Sequence, residues 1–291
     1  MKSFTTFLFA AAVLLVSTPF AAHAQFGVPL ADLLRSTHIH GLAVDRADRG
    51  RLLIATHHGL HALRLKSGTV DLISERQDDF MGFRPHPTEA RTLYASGHPA
   101  RGGNLGFIAS TNGGQTWTML SPGVGGPVDF HQMDVSGADP NVIYGVHGGL
   151  QVSRDGGRHW SRTGPAPDGL IDLAASSTDA ARIYAATQQG LLVSVDGGRV
   201  WQAAHLLRRP VSMIEVTTDG SVYAFMLGSG LLRAKEPSPN WQTLSNDFGD
   251  RYLLHFAVDP EDPARLYAST HQNELLTSED GGRTWQRLGA Q

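Results

Sequence analysis

The segment Ser153-Arg154-Asp155-Gly156-Gly157-Arg158-His159-Trp160 decides the fold, because its pattern, Ser-x-Asp/Asn-Gly-Gly-x-x-Trp, occurs four times in the chain. The Asp-Gly-Gly core is suited to a tight turn with positive φ, which glycine adopts without steric cost. The Asp and Ser side chains can hydrogen-bond the turn backbone, and the Trp then begins the next strand and packs between structural units. The positions given these structural roles are Asn112, Trp117, Asp155, Trp160, Asp196, Trp201, Asp280 and Trp285.

The octapeptides recur at a nearly constant interval. They span Ser110–Trp117, Ser153–Trp160, Ser194–Trp201 and Ser278–Trp285, and the fifth tryptophan, Trp241, falls in the gap after a degenerate copy. Successive tryptophans are therefore 43, 41, 40 and 44 residues apart. A period of about forty residues is typical of the blades of a β-propeller.

A second repeat precedes each octapeptide and also occurs where the octapeptide is missing. It is a short apolar strand such as Val142-Ile143-Tyr144-Gly145-Val146 or Arg265-Leu266-Tyr267-Ala268-Ser269, and the chain has six copies. Six blades at this period account for residues 25–291 with no length left for a second domain. The sequence therefore predicts an all-β fold, a single propeller of six four-stranded blades, in which ring closure removes free sheet edges.

The first 24 residues have the features of a cleaved signal peptide. Lys2 is followed by the apolar run Phe7 to Val16, and Ala22-His23-Ala24 has the small-x-small form of a cleavage site. The apolar run is too short for a membrane anchor, and we expect a periplasmic or secreted, monomeric protein cleaved after Ala24.

The chain has no cysteine, which excludes disulfides and thiolate ligands. A net charge of −3 without a basic run argues against a nucleic-acid partner.

The octapeptide resembles the BNR or Asp-box repeat of sialidases, sortilin-type receptors and related bacterial propellers, and the periodic region covers nearly all of residues 25–291. In that family the boxes lie at the turn between the third and fourth strands, on the face away from the active site, which implies a structural role for them here. Sialidases also use three arginines and a Tyr/Glu nucleophile pair. Phe83-Arg84-Pro85 matches their Arg-x-Pro motif only in part, and the sequence offers no set of three arginines at the blade starts.

Histidines concentrate at two positions of the repeat. Of the 13 that follow residue 24, nine fall at the start of an innermost strand or at the end of a second strand, and in a propeller these positions share one rim of the central channel. His40, Met81 and His131 occupy one repeat position, and His255 is displaced from it by one residue. The nine are His38, His40, His57, His58, His98, His131, His147, His255 and His271.

Converging imidazoles predict a transition-metal site at the mouth of the channel. The candidate ligands are His38, His40, His57, His98, His131, His147, His271 and Met81, and the first five come from consecutive blades. The Met81 thioether favours copper, with zinc as the second choice. Asp78, Asp79 and Asp129 are expected to orient imidazoles from outside the ligand shell. A single histidine in such a place can instead plug the channel or bond loop carbonyls, so the prediction depends on the whole set.

Two other functions compete with a metal site. Stretches such as His38-Ile39-His40-Gly41-Leu42 and Asp129-Phe130-His131 resemble those of exported Asp-box propellers described as glycosyl hydrolase-like, which implies a glycan or other small-molecule ligand. A glycosidase needs two carboxyl groups about 5 to 10 Å apart, and Asp79 and Asp129 from adjoining blades are the catalytic candidates. The third possibility is a protein-interaction platform, for which an imidazole-rich rim is unusual.

Overall fold

The computed structural model describes residues 27–289, which form a ring of six antiparallel β-sheets. The predicted signal peptide, residues 1–24, lies outside the described residues. Each sheet contains four consecutive strands, and the first carries one extra short strand at its outer edge. The prediction of a six-bladed, four-stranded β-propeller is therefore confirmed.

Each blade begins with its innermost strand and ends at the rim of the disc. Before blade 1 the chain forms β1 (Val28–Pro29), which pairs with the outer strand of that blade, and helix α1 (Leu30–Ser36). Blade 1 contains β2 (Ile39–Val44), β3 (Arg51–Thr56), β4 (Gly59–Arg64) and β5 (Thr69–Leu72). Blade 2 contains β6 (Asp79–Pro85), β7 (Leu93–His98), β8 (Phe107–Ser110) and β9 (Thr118–Ser121). Blade 3 contains β10 (Met133–Val135), β11 (Ile143–Val146), β12 (Leu150–Ser153) and β13 (Trp160–Gly164).

The second half of the ring repeats this order. Blade 4 contains β14 (Leu170–Ala175), β15 (Ile183–Thr187), β16 (Gly190–Ser194) and β17 (Gln202–Ala203). Blade 5 contains β18 (Val211–Val216), β19 (Ser221–Met226), β20 (Gly230–Lys235) and β21 (Gln242–Ser245). Blade 6 contains β22 (Leu253–Asp259), β23 (Asp262–Thr270), β24 (Leu275–Ser278) and β25 (Gln286–Arg287).

The hydrophobic core lies between neighbouring blades rather than at the centre of the disc. The repeated second strand explains this, because its apolar side chains point to both faces of the sheet and are buried on both. Leu53 of blade 1, for example, belongs to one cluster with Phe80, Ile108 and Trp117 of blade 2. Tyr144 is fully buried, and its hydroxyl donates to the carbonyl of Ala180 in the next blade (2.8 Å).

The four Asp-Gly-Gly octapeptides form the turns between the third and fourth strands of blades 2, 3, 4 and 6. In blade 6 the Ser278 hydroxyl donates to Asp280 (2.8 Å) and accepts the Gly282 amide (2.9 Å), and Asp280 also accepts the Thr284 amide (2.9 Å). The same three contacts recur around Ser110, Ser153 and Ser194. Strand direction places these turns on the face opposite to the starts of the innermost strands.

The ring closes between blade 6 and blade 1 without a strand shared by the two sheets in the described chain. Leu30 and Leu33 of helix α1 pack into a cluster that contains Leu63 of blade 1 and Leu275 of blade 6. Asn273, in the turn between β23 and β24, adds polar contacts to the same segment: its amide nitrogen donates to the carbonyls of Leu34 (2.6 Å) and Thr37 (2.8 Å), and its oxygen accepts the Ile39 amide (3.3 Å).

The six innermost strands line a central channel, and five of them contain an irregularity near the start. The register shifts between Ile39 and Gly41 in β2 and between Met81 and Arg84 in β6, and equivalent shifts occur in β14, β18 and β22. A bulge of this kind re-aims the side chain of the extra residue. In β2 that residue is His40.

Candidate metal centre

The channel opens at the strand starts into a cavity of about 150 Å³ that is lined by histidines. We call this end the histidine mouth, and its lining includes His40, Met81, His131, Asp172 and His255. The bulge in β2 turns His40 towards the opening, and in blade 3 His131 lies just before β10. Gly82 makes a close approach possible here, because it has φ +54° and a Cβ at this position would lie 2.2 Å from the carbonyl oxygen of Phe130.

Two groups of three side chains at the histidine mouth have the composition of a metal site. The first, triad 1, contains His40, His57 and Asp79 and joins blades 1 and 2. The Nε2 atom of His40 lies 3.1 Å from Nδ1 of His57, which in turn lies 2.9 Å from Oδ2 of Asp79. The third side of the triangle, from His40 Nε2 to Asp79 Oδ1, is 3.8 Å long.

The second group, triad 2, contains His98, Asp129 and His131 and joins blades 2 and 3. Oδ2 of Asp129 lies 2.9 Å from Nε2 of His98 and 2.7 Å from Nε2 of His131. The other ring nitrogen of His98, Nδ1, lies 3.0 Å from the carbonyl oxygen of Gly103. That contact orients the imidazole and leaves Nε2 directed at the carboxylate, an arrangement common in metal-ligating histidines.

The two triads share one design across successive blade junctions. His57 and His98 both follow the second strand of their blades, and Asp79 and Asp129 both begin the innermost region of the next blade. The third imidazole differs: His40 comes from the earlier blade in triad 1, whereas His131 comes from the later blade in triad 2. In blade 2 the position equivalent to His131 holds Met81.

Each carboxylate keeps one buried oxygen without a hydrogen bond from any described residue. These atoms are Oδ1 of Asp79 and Oδ1 of Asp129. A buried carboxylate oxygen without a partner is costly, and the same atom is affected in both triads. The donor sets and the unpartnered oxygens fit a cation bound beside each carboxylate.

Electrostatics keep the imidazole of His40, one of the two in triad 1, available for a cation. Burial, together with the neighbouring His57, lowers the pKa of His40 to about 4, so its ring is neutral at physiological pH. Triad 2 differs because the hydrogen bond to Asp129 raises the pKa of His131 above its usual value. A neutral imidazole is the form that coordinates metals, so triad 1 is the better prepared of the two.

The remaining predicted ligands have other surroundings. The His38 ring centroid is 5.6 Å from that of His57, and Met81 lines the mouth beside His40 and His131. His147 contacts the backbone of Asp129, with Nδ1 3.3 Å from the amide nitrogen. His271 stacks on the ring of Tyr252 with centroids 4.0 Å apart.

Asp79 and Asp129 were expected to orient imidazoles, or alternatively to act as a catalytic pair, and the structure places each between two imidazoles. A sequence signal for this was present, because Asp79 and Asp129 each come two residues before the channel-facing position that holds Met81 or His131. On an extended strand such residues share a face.

A buried charge network forms a partition across the channel below the mouth. The Arg84 side chain contacts Asp134 (Nε to Oδ1, 3.1 Å), Glu215 (Nη1 to Oε2, 3.1 Å) and Asp172 (Nη2 to Oδ1, 3.8 Å). Burial raises the pKa of Glu215 to about 8 and that of Asp172 to about 6, although Arg84 opposes both shifts. Phe83-Arg84-Pro85 matches the sialidase Arg-x-Pro motif only in part, and no pattern in the sequence predicts this network.

Comparison with known proteins supports the fold and no more specific assignment. No protein-family model matches the sequence, and a comparison with curated proteins gives no match. The chain is similar in structure to the GH74 xyloglucanase from Xanthomonas campestris, with TM-score 0.60 and 21% identity over 90% of this chain and 46% of that one. It is also similar to the GH74 enzyme of Niastella koreensis, with TM-score 0.62 and 16% identity over 90% and 45% of the two chains.

A third similar structure is YCF48 bound to D1 peptide, with TM-score 0.54 and 18% identity over 87% of this chain and 82% of that one. The chain spans less than half the length of the two GH74 enzymes. Its relation to all three is a shared propeller fold. Within residues 27–289, the structure contains no helix with the length and apolar character needed to cross a membrane.

Proposed function

We propose that this protein is an exported propeller that binds divalent transition-metal ions at the histidine mouth, one in each triad. The observation that carries the proposal is the repeated placement of a partly buried carboxylate, Asp79 or Asp129, between two imidazoles, with one of its oxygens buried and without a hydrogen bond. One such group could be an ordinary hydrogen-bonded cluster. Two of them at successive blade junctions indicate a site that the fold builds twice.

The spacing of the ligand atoms suits a first-row transition metal. Ligands at about 2.0–2.1 Å from a tetrahedral ion lie about 3.3 Å from one another. The nitrogen and oxygen atoms of triad 1 are 2.9 to 3.8 Å apart, and the two nitrogen–oxygen distances in triad 2 are 2.7 and 2.9 Å. Small rotations of the side chains would therefore admit an ion.

Two imidazoles and one carboxylate are a donor set that favours zinc as the first ion to test. The thioether of Met81, which lines the same mouth, makes copper the second ion to test. Three protein ligands leave at least one coordination position open, as in catalytic zinc sites. The function is therefore either metal handling or a metal-dependent reaction of a small ligand that enters the mouth.

The test is metal titration of the mature protein, purified without a histidine tag, by calorimetry with Zn(II) and Cu(II) at pH 7.5. We expect about two Zn(II) per chain. Asp79→Asn and Asp129→Asn, which preserve side-chain size, should each remove one equivalent, and the double variant should remove both. His159→Gln is the matched control, because the His159 side chain is 89% exposed on the opposite face.

Two results would overturn the proposal. One is a wild-type protein that binds no stoichiometric metal, and the other is binding that the double variant leaves unchanged. A metal-free wild type that cleaves a glycan, with activity lost in Asp79→Asn and in Asp129→Asn, would assign the two carboxylates to glycoside hydrolysis instead.

A further inference from the structure

The channel has a second opening, at the end opposite to the histidine mouth. We call it the lower cavity; its volume is about 180 Å³, and it is lined by the ends of the innermost strands and the loops that follow them. Arg84, Asp134 and Glu215 form its floor. Because Arg84 also lines the histidine mouth, the Arg84 network separates the two openings.

Carboxyl groups outnumber cations at the floor of the lower cavity. Three carboxyl groups, those of Asp134, Asp172 and Glu215, face the single guanidinium of Arg84. Asp134 and Glu215 line the lower cavity, and Asp172 lines the mouth. Burial raises the pKa of Glu215 to about 8, and the two aspartates raise it further while Arg84 lowers it, so Glu215 holds a proton at pH 7.

Of the other charged residues around the lower cavity, two carboxylates have cationic partners, and Arg46 bonds backbone carbonyls at the rim. Asp219 is paired with Lys235 (2.9 Å), and Asp259 is paired with Arg49 (3.1 Å). The guanidinium of Arg46 donates to the carbonyl of His86 (3.3 Å) and to that of Pro87. The carboxylates on the floor are therefore the polar groups available to a ligand.

The walls above the floor are apolar. Four valines, one from each of four innermost strands, line the cavity: Val44, which pairs with Leu52, Val135, which pairs with Ile143, Val216, which pairs with Val222, and Val258, which pairs with Leu266. The rings of Tyr223 and Phe256 also contribute. An apolar pocket with a few convergent polar groups is the usual form of a small-molecule site.

We propose that the lower cavity binds a small organic cation, a primary ammonium with a short apolar body. The ammonium group would donate hydrogen bonds to Glu215 and Asp134 and take the place of the proton that Glu215 holds in the free protein, which leaves to solvent. The apolar body would lie against the four valines. A bare divalent metal ion would leave these walls without a partner, and an anion would meet the carboxylates of the floor.

This site is independent of the metal centre, because Asp79 and Asp129 lie at the other end of the channel. Binding of benzylammonium to the mature protein at pH 7 tests it, by calorimetry and by the shift in Tm. Benzyl alcohol, which has a similar shape but no charge, should bind at least about tenfold more weakly, since hydrogen bonds between ionised partners are the strong ones. Benzoate should not bind.

Variants locate the binding. Glu215→Gln should weaken benzylammonium by about tenfold or more, whereas Glu279→Gln, at an exposed position outside the cavity, should leave it unchanged. Thr218→Trp places a large side chain at the opening without touching the floor and should also weaken binding; it decides the question if Glu215→Gln does not fold. Equal affinity for benzylammonium and benzyl alcohol, no binding of either at millimolar concentration, or binding unchanged in Thr218→Trp would overturn the proposal.

Discussion

Among single residues, Glu215 has an environment far from that of an exposed carboxyl group. It lies inside the channel, where the charged groups that face it are Arg84, Asp134 and Asp172. Burial and the two aspartates favour its protonated form, and Arg84 favours its ionised form; burial is the largest of these effects. The folded protein therefore holds a proton on Glu215 that the unfolded chain would release above about pH 4.5.

This difference predicts how stability changes with pH. Between about pH 4.5 and pH 8 the folded state binds more protons at Glu215 than the unfolded state does, so its contribution to stability is lost as the pH rises through that window. We expect the Tm to be higher at pH 5 than at pH 8.5, and Glu215→Gln to reduce the difference. Thermal unfolding of both proteins at the two pH values measures it; an equal pH dependence in the variant would contradict the assignment.

The candidate site could be predicted from sequence only in part, and the reason lies in individual residues. The blade period brought His40, His57, His98 and His131 to one rim, because equivalent repeat positions lie on the same face of a propeller. The period did not separate the two triads, since it does not say which way each side chain turns. Arg84 was missed because its three partners come from blades 3, 4 and 5, and no local pattern connects them.

At the level of elements, the octapeptide turns lie on one face of the disc and the bulges of the innermost strands lie on the other. The turns close the outer strand pair of four blades on one face, and the bulges shape the mouth on the other. The turns were predictable because their hydrogen bonds are local to eight residues. The bulges were not, because each is a register shift between the first two strands of a blade that no local residue pattern marks.

The serine is the most buried polar residue of each turn, and replacing it should measurably lower the stability of the protein. Ser278 is 2% exposed, and its hydroxyl accepts the amide of Gly282. Ser278→Ala leaves that amide without a partner, which we expect to cost about 1–3 kcal/mol and to lower the Tm by about 2–4 °C for each kcal/mol. Ser67→Ala, at an exposed turn of blade 1, is the control. An unchanged Tm for Ser278→Ala would show that the turn does not depend on this contact.

At the scale of the whole molecule, the seam between blades 6 and 1 differs from the other five junctions. Helix α1 covers it, and Asn273 fixes the segment that leads from the helix to β2. The backbone of Asn273 has φ +58°, a conformation that asparagine tolerates better than most residues do. The number of blades was predictable from the repeat, but this closure was not, because helix α1 lies outside the periodic region.

Replacing Asn273 by glycine should loosen the seam. Glycine tolerates the positive φ, so Asn273→Gly removes all three side-chain hydrogen bonds, two donated and one accepted, without adding backbone strain. We expect a loss of about 1–3 kcal/mol in the free energy of unfolding and faster hydrogen exchange at residues 30–39 than in the wild type. Exchange that rises equally in all six blades would instead indicate a general destabilisation.

The two triads straddle the junctions of blades 1–2 and 2–3, and the structure has no equivalent group at the other four junctions among its described residues. Ions bound at both triads would cross-link blades 1, 2 and 3 and restrict their movement relative to one another. Blades 4 to 6 and the seam between blades 6 and 1 would not be cross-linked and would keep their fluctuations. Metal binding would then make the disc unevenly rigid, with blades 1 to 3 stiffer than blades 4 to 6.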